Sequence, residues 1–212
     1  MNYYVVNYKL HRDGDGGIED GPQVEILKDE NSTYNLNKNV LDLLHPRKYK
    51  KNKNEIWGST LSPSKANTVN GAELTDFMTF TPYLMGAKFL LSNKIIEIIN
   101  KMNVCRNELF PIEIISNGLK CNYNLFFTMP LSLKYIDFNQ SKFFIKKGLT
   151  NINVDISTVD EFNIYEENYF LVDYELLSLF YKNFKGGDLF VLHDGKVIIS
   201  ERLFFAFKEE NV

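Results

Sequence analysis

Ser92 and Ser200 each follow three apolar residues and precede a helical apolar pattern, which is where a serine nucleophile sits on a strand-to-helix turn. That elbow needs glycines two positions before and after the serine. Leu90-Leu91-Ser92-Asn93-Lys94 and Ile198-Ile199-Ser200-Glu201-Arg202 contain none. The chemistry left to both serines is helix capping, in which the hydroxyl oxygen accepts an unpaired N–H of the first turn. The three histidines, His11, His45 and His193, are far apart, and no H-x-x-x-H, H-E-x-x-H or C-x-x-C spacing occurs. Cys105 and Cys121 are too few for a zinc site or a disulfide framework and read as buried or half-buried thiols. Either could meet His193 in space, a pairing the sequence does not itself specify.

Phosphate chemistry is equally unsupported. No G-x-x-x-x-G-K-[ST] or G-x-G-x-x-G is present, and Lys185-Gly186-Gly187-Asp188 leads into a strand rather than a helix. Asp13-Gly14-Asp15-Gly16-Gly17 invites a calcium loop, but loop positions 6 and 12 hold Ile18 and Val24 instead of glycine and glutamate. No metal, cofactor or catalytic constellation is therefore expected. Asp160-Glu161 and Glu166-Glu167 are carboxylate pairs of the type glycosidases use, although such pairs are commoner on solvated faces. The basic run Arg47, Lys48, Lys50, Lys51 and Lys53, with Tyr49 inside it, could offer phosphate contacts and one stacking ring. Against that stands a net charge of −3, which argues against strong affinity for nucleic acid or acidic membranes.

The elements that would position these groups follow from patterning. Residues 2–8 and Val24–Leu27 read as strands, and the Gly-Asp cluster between them as a loop. Asn39–Leu44 is a short helix that must stop before Pro46; Arg47–Asn54 is a surface loop, and Ile56–Leu61 a strand around Trp57. Leu74–Phe80 is apolar without a decisive period. Leu109–Ser116 and Leu119–Thr128, joined by Asn117-Gly118, form a hairpin. Phe143–Lys146, Asn151–Ile156 and Phe162–Tyr165 are short strands, and Tyr169–Tyr181 a helix. Leu189–Leu192 and Lys196–Ile199 make a second hairpin about His193-Asp194-Gly195.

Beneath this lies a gap-free repeat at an offset of 108 residues. Lys88-Phe89-Leu90-Leu91-Ser92-Asn93-Lys94-Ile95-Ile96-Glu97-Ile98-Ile99 aligns with Lys196-Val197-Ile198-Ile199-Ser200-Glu201-Arg202-Leu203-Phe204-Phe205-Ala206-Phe207, and Asn103-Val104 with Asn211-Val212. Three consecutive apolar residues describe a strand covered on both faces. Ile95, Ile98, Ile99 and Met102 form one helical stripe, and Leu203, Phe204 and Phe207 another. The expected fold is α+β, with a mixed, mostly antiparallel sheet, a few helices, and two strand–Ser–helix units over 88–104 and 196–212. No Pro-, Gly- or Ser-rich break divides the chain, so 1–212 reads as one domain, or as packed halves of about 1–105 and 106–212.

The strand followed by Ser-Asn-Lys-Ile or Ser-Glu-Arg-Leu and an amphipathic helix resembles a group of bacterial immunity proteins of polymorphic toxin and contact-dependent effector systems. Tyr3-Tyr4-Val5-Val6 and Phe110-Pro111-Ile112-Glu113-Ile114 are similar as well, so the resemblance covers about half the chain. It departs after Val212, where the first copy continues into a strand and the second does not. The resemblance implies an α+β protein that neutralises a cognate toxin by binding, with no catalysis of its own. The alternatives are a small hydrolase whose site assembles only in three dimensions, and a nucleic-acid-associated protein using Arg47–Lys53.

An apolar fraction of 44% supports a packed core, and no apolar run approaches the roughly 18 residues of a membrane helix. Met1–Tyr8 has no charged region, apolar core or cleavage site of a signal peptide, so a cytoplasmic location is expected. Charge is distributed unevenly. From Gly148 to Tyr181 there is no Lys or Arg, while Asp155, Asp160, Glu161, Glu166, Glu167, Asp173 and Glu175 fall there. Acids interleaved with aromatic residues suit a basic toxin domain, which places the partner surface at Asp160, Glu161, Glu166, Glu167, Tyr165 and Tyr169.

Overall fold

The computed structural model describes residues 2–6, 22–28, 40–45, 49–52, 54–59, 61, 63–69, 72–147, 150–169, 172–174, 186–192 and 195–212. The Asp13–Gly21 loop, His11, His193, and Leu176, Leu177, Phe180 and Tyr181 lie outside them. The elements in chain order are β1 (Tyr3–Val6), β2 (Val24–Ile26), α1 (Val40–Leu43), α2 (Tyr49–Asn52), β3 (Ser64–Thr68), β4 (Phe77–Met78), β5 (Phe80–Thr81), β6 (Ala87–Ser92), α3 (Asn93–Ile99), β7 (Asn107–Ser116) and β8 (Leu119–Thr128). Then come β9 (Phe143–Lys147), β10 (Thr150–Val154), α4 (Val159–Tyr169), β11 (Val172–Tyr174), β12 (Leu189–Val191), β13 (Val197–Ser200) and α5 (Glu201–Glu209). The architecture is α+β, and its sheets are mostly antiparallel.

The longest ladder is the β7–β8 hairpin, paired from Asn107↔Thr128 to Ser116↔Leu119. Its two-residue turn requires positive φ at both positions, and Asn117 (50°) and Gly118 (78°) supply it. This hairpin sits within a seven-stranded sheet of order β4-β6-β8-β7-β3-β2-β5, in which β3–β7 and β2–β5 run parallel. A second sheet, β1-β13-β12, and a third, β10-β9-β11, are antiparallel throughout. Pairings β1–β13 and β6–β8 both cross residue 105, the boundary between the two halves envisaged from sequence.

Side-chain alternation sorts the buried residues of these sheets into three apolar layers. Leu90, Leu125 and Phe127 face a layer with Phe110, Ile112 and Ile114. Phe89, Leu91 and Phe126, from the opposite face of β6 and β8, pack with Ile95, Ile98 and Ile99 of α3 and Leu203 and Phe207 of α5. That middle layer also holds Leu189, Val191, Val197 and Ile199, whereas Phe190 and Ile198 turn to the third layer with Phe143, Ile145 and Phe162. The two helices following Ser92 and Ser200 thus bury their stripes in one shared layer.

Four sequence expectations are corrected. Phe162–Tyr165 is not a strand but part of α4, because Thr158 accepts the Glu161 N–H (3.1 Å) and starts a helix whose positions 162 and 165 face the core. Ile56–Leu61 is not a strand: Gly58 at φ 74° turns the chain, and its N–H donates to the Glu108 carboxylate at 2.8 Å. Arg47–Asn54 is not all loop, since Tyr49–Asn52 forms a helical turn anchored by the Tyr49 N–H on the His45 carbonyl (2.8 Å). Within the helix expected over Tyr169–Tyr181, residues Val172–Tyr174 are instead strand β11, with Val172 and Tyr174 paired to Ile145 and Phe143; 175–181 lie outside the described residues.

Candidate functional site

The serines and carboxylates that could do chemistry meet at the starts of α3 and α5. Ser92 accepts the Ile95 N–H (3.4 Å) and donates its hydroxyl to Asp76 (2.5 Å). Ser200 accepts the Leu203 N–H (3.2 Å) and donates to Asp188 (2.6 Å). In both places the serine N–H also donates to the carbonyl of the same aspartate, at 3.0 and 2.8 Å. Each aspartate directly precedes a strand, β4 or β12, that pairs with the strand ending in its serine. Two residues beyond each serine a cation follows: Lys94 lies 3.9 Å from Asp76, and Arg202 forms a two-nitrogen ion pair with Asp188.

The two places differ in exposure. Ser200 and Asp188 are buried, whereas Ser92 is half-buried and Asp76 reaches solvent. Asp188 in addition accepts the Asn103 N–H (2.8 Å) and returns its own N–H to the Asn103 carbonyl (2.6 Å), tying the segment after α3 to β12. Burial alone would raise the Asp188 carboxyl. Hydrogen bonds from Arg202, Ser200 and Asn103, with the guanidinium charge, outweigh it and lower the value to about 2. A carboxylate that weak as a base cannot usefully deprotonate an alcohol. Both hydroxyls are engaged as donor and acceptor, so the geometry is that of caps locked by carboxylates. The sequence points to the serines and not to the aspartates, because the repeat starts at Lys88 and the aspartates stand 112 residues apart rather than 108.

Among the described residues the other reactive side chains are not brought together. Cys105 lies against the Thr128 hydroxyl (3.0 Å), and burial pushes its thiol up despite that hydrogen bond. Cys121 is on β8. His45 lines an open cleft with Glu25, Lys28, Tyr83, Ile26 and Leu41, and neither cysteine reaches it. Among the described residues no cluster of His, Cys, Asp and Glu is fit to hold a metal. In the basic run Lys51 is exposed. Tyr49, however, is half-buried: it gives its hydroxyl to the Met129 sulfur (2.7 Å) and packs towards Phe127, which engages the one stacking ring of the run in the fold.

The six acidic and aromatic positions read as a partner surface all fall on α4, whereas sequence patterning puts Tyr165 in a strand, Tyr169 in a helix and the four acids between elements. Asp160, Glu161 and Glu167 are exposed, and Tyr165 is half-buried against the third layer. The side chains of Glu166 and Tyr169 lie outside the described structure. Glu161 is committed to folding: its carboxylate accepts the Ser157 N–H (2.7 Å) and hydroxyl (2.9 Å), and these bonds lower its pKa. Asp155, Asp160 and Glu167 make no ion pair among the described residues. Sequence reasoning missed Ile164, which stands 56% exposed on the outward face of the same helix.

No family model and no curated protein matches this chain. No helix among the described residues is long and apolar enough to cross a membrane.

Proposed function

We propose that this protein binds and neutralises a cognate bacterial toxin domain, a basic one, without catalysis of its own. The observation that carries the reading is the outward face of α4, where Asp160 and Glu167 lie exposed, without ion pairs among the described residues, around an exposed isoleucine. An acidic face accelerates encounter with a basic partner and discriminates against acidic ones. The strand–Ser–helix pattern that resembles immunity proteins supports the same reading. The hydrolase alternative is weakened where the serines are locked as caps, and the nucleic-acid alternative where Tyr49 turns inward.

The direct test is co-expression with the C-terminal domain of a toxin encoded immediately upstream. Restored growth and a stable co-purifying complex are expected. Continued toxicity, with both proteins soluble and no complex formed, overturns the reading. In the same assay His45, His193, Cys105 and Cys121 are replaceable one at a time. Loss of protection in Cys121→Ser at unchanged thermal stability would instead mark an enzyme.

A further inference from the structure

We infer that Ile164 is the apolar anchor of the partner face, seated in a small apolar pocket within a basic protein surface. This rests on the toxin-binding reading and goes beyond it by naming the specificity-determining residue.

The argument begins with what folding needs from α4. Phe162 is fully buried, and Val159 and Tyr165 pack beside it, so the inner face of the helix is accounted for. Ile164 is two positions on, roughly 200° round the helix, and points away from that layer. It is 56% exposed and belongs to none of the three apolar layers. A β-branched residue at an exposed helical position restricts its own rotamers and gains little packing, so a long polar residue would serve the helix better.

Its surroundings break a second local rule. Positions three and four away on a helix are neighbours, so Asp160, Glu161, Glu167 and Asn168 ring Ile164. Asp160 and Glu161 lie in the first turn, where the macrodipole favours acids, and folding explains them. Glu167 lies near the C-terminal end, where the dipole favours cations, and α4 has no basic residue in its last turn. A largely exposed isoleucine outside the apolar layers and a glutamate against the dipole therefore sit side by side on one face. Local choices that work against folding mark sites retained for another reason. An apolar centre with a charged rim is also how interface hot spots are built, and the rim's sign requires a basic partner.

The test uses the full chain and the purified upstream-encoded toxin domain, reading binding kinetics and thermal unfolding for Ile164→Gln and Ile164→Leu. Ile164→Gln is expected to keep or raise the unfolding temperature while weakening the complex at least about tenfold, mainly through faster dissociation. Ile164→Leu is expected to retain most of the affinity. Unchanged affinity of Ile164→Gln, with the wild type binding, overturns this inference and leaves the toxin-binding reading standing. A lowered unfolding temperature in Ile164→Gln also overturns it, because the side chain would then serve the fold. Absence of any wild-type complex overturns the toxin-binding reading, and this inference with it.

Discussion

At Asp188 four donors converge on one buried carboxylate: the Ser200 hydroxyl, two nitrogens of Arg202 and the Asn103 N–H. Asp188→Ala leaves the Ser200 hydroxyl and the Asn103 N–H without their acceptor. The exposed Arg202 side chain returns to water, so the expected loss is about 2–3 kcal/mol rather than the larger cost of stranding a buried charge. Denaturant unfolding at neutral pH measures it. The depressed pKa makes the same bond pH-dependent. A carboxyl near 2 in the folded chain and at the ordinary 3.8 when unfolded stabilises the protein above about pH 4, and this stabilisation is lost as pH falls from 4 towards 2. Unfolding temperatures between pH 5 and pH 2 should fall less steeply in Asp188→Ala than in the wild type. Ser92→Ala and Ser200→Ala should each cost about 1 kcal/mol through the lost cap. Ser200 should lie on the higher side, because its removal also strips a donor from a buried carboxylate. The serines were legible because a cap is local in sequence. Asp76 and Asp188 were not, since only strand pairing brings them to their serines.

At the scale of elements, what could be read from sequence is what local chemistry decides. Asn117-Gly118 marks a hairpin because both residues tolerate positive φ, and the ladder closes at Ser116↔Leu119 as that turn demands. A side chain at Gly118 would meet nothing within 4 Å, so Gly118→Ala should cost only backbone strain, about 1 kcal/mol. At Gly86 a Cβ would lie 2.4 Å from the Phe127 ring, in the middle of the first apolar layer. Gly86→Ala should therefore destabilise more than Gly118→Ala, a ranking that paired thermal melts can check. Aromatic content misleads where end signals oppose it. Phe162–Tyr165 looked like a strand by composition, yet Thr158-x-x-Glu161 is a helix start, and the carboxylate of Glu161 reaches back to Ser157. Trp57 misled similarly: it lies in a turn, edge-on to Phe127 and under the Arg106 guanidinium.

The arrangement of the whole molecule depends on contacts that sequence patterning does not reach. The two parallel pairings, β3 with β7 and β2 with β5, join segments separated by tens of residues, and no turn chemistry announces them. Charge is different, because its unevenness along the chain survives folding where Asp160, Glu161 and Glu167 stand exposed together on α4. The last prediction belongs at this scale, since electrostatic steering depends on the summed field rather than on one contact. Asp160→Lys with Glu167→Lys changes the charge of that face by about four units while leaving the Glu161–Ser157 cap intact. Both side chains are exposed, and the dipole cost of a lysine at 160 in the first turn is offset by the gain of one at 167 near the C-terminal end, so unfolding temperature should barely move. Association with a basic toxin domain should slow by about tenfold or more near 20 mM salt. The gap should close as salt approaches about 1 M, where the screening length shrinks to about 3 Å. Stopped-flow binding across that range separates steering from anchoring, because Ile164→Gln should leave the association rate and its salt dependence nearly unchanged and act on dissociation. An association rate at low salt that is indifferent to the double charge reversal would place the partner surface away from α4.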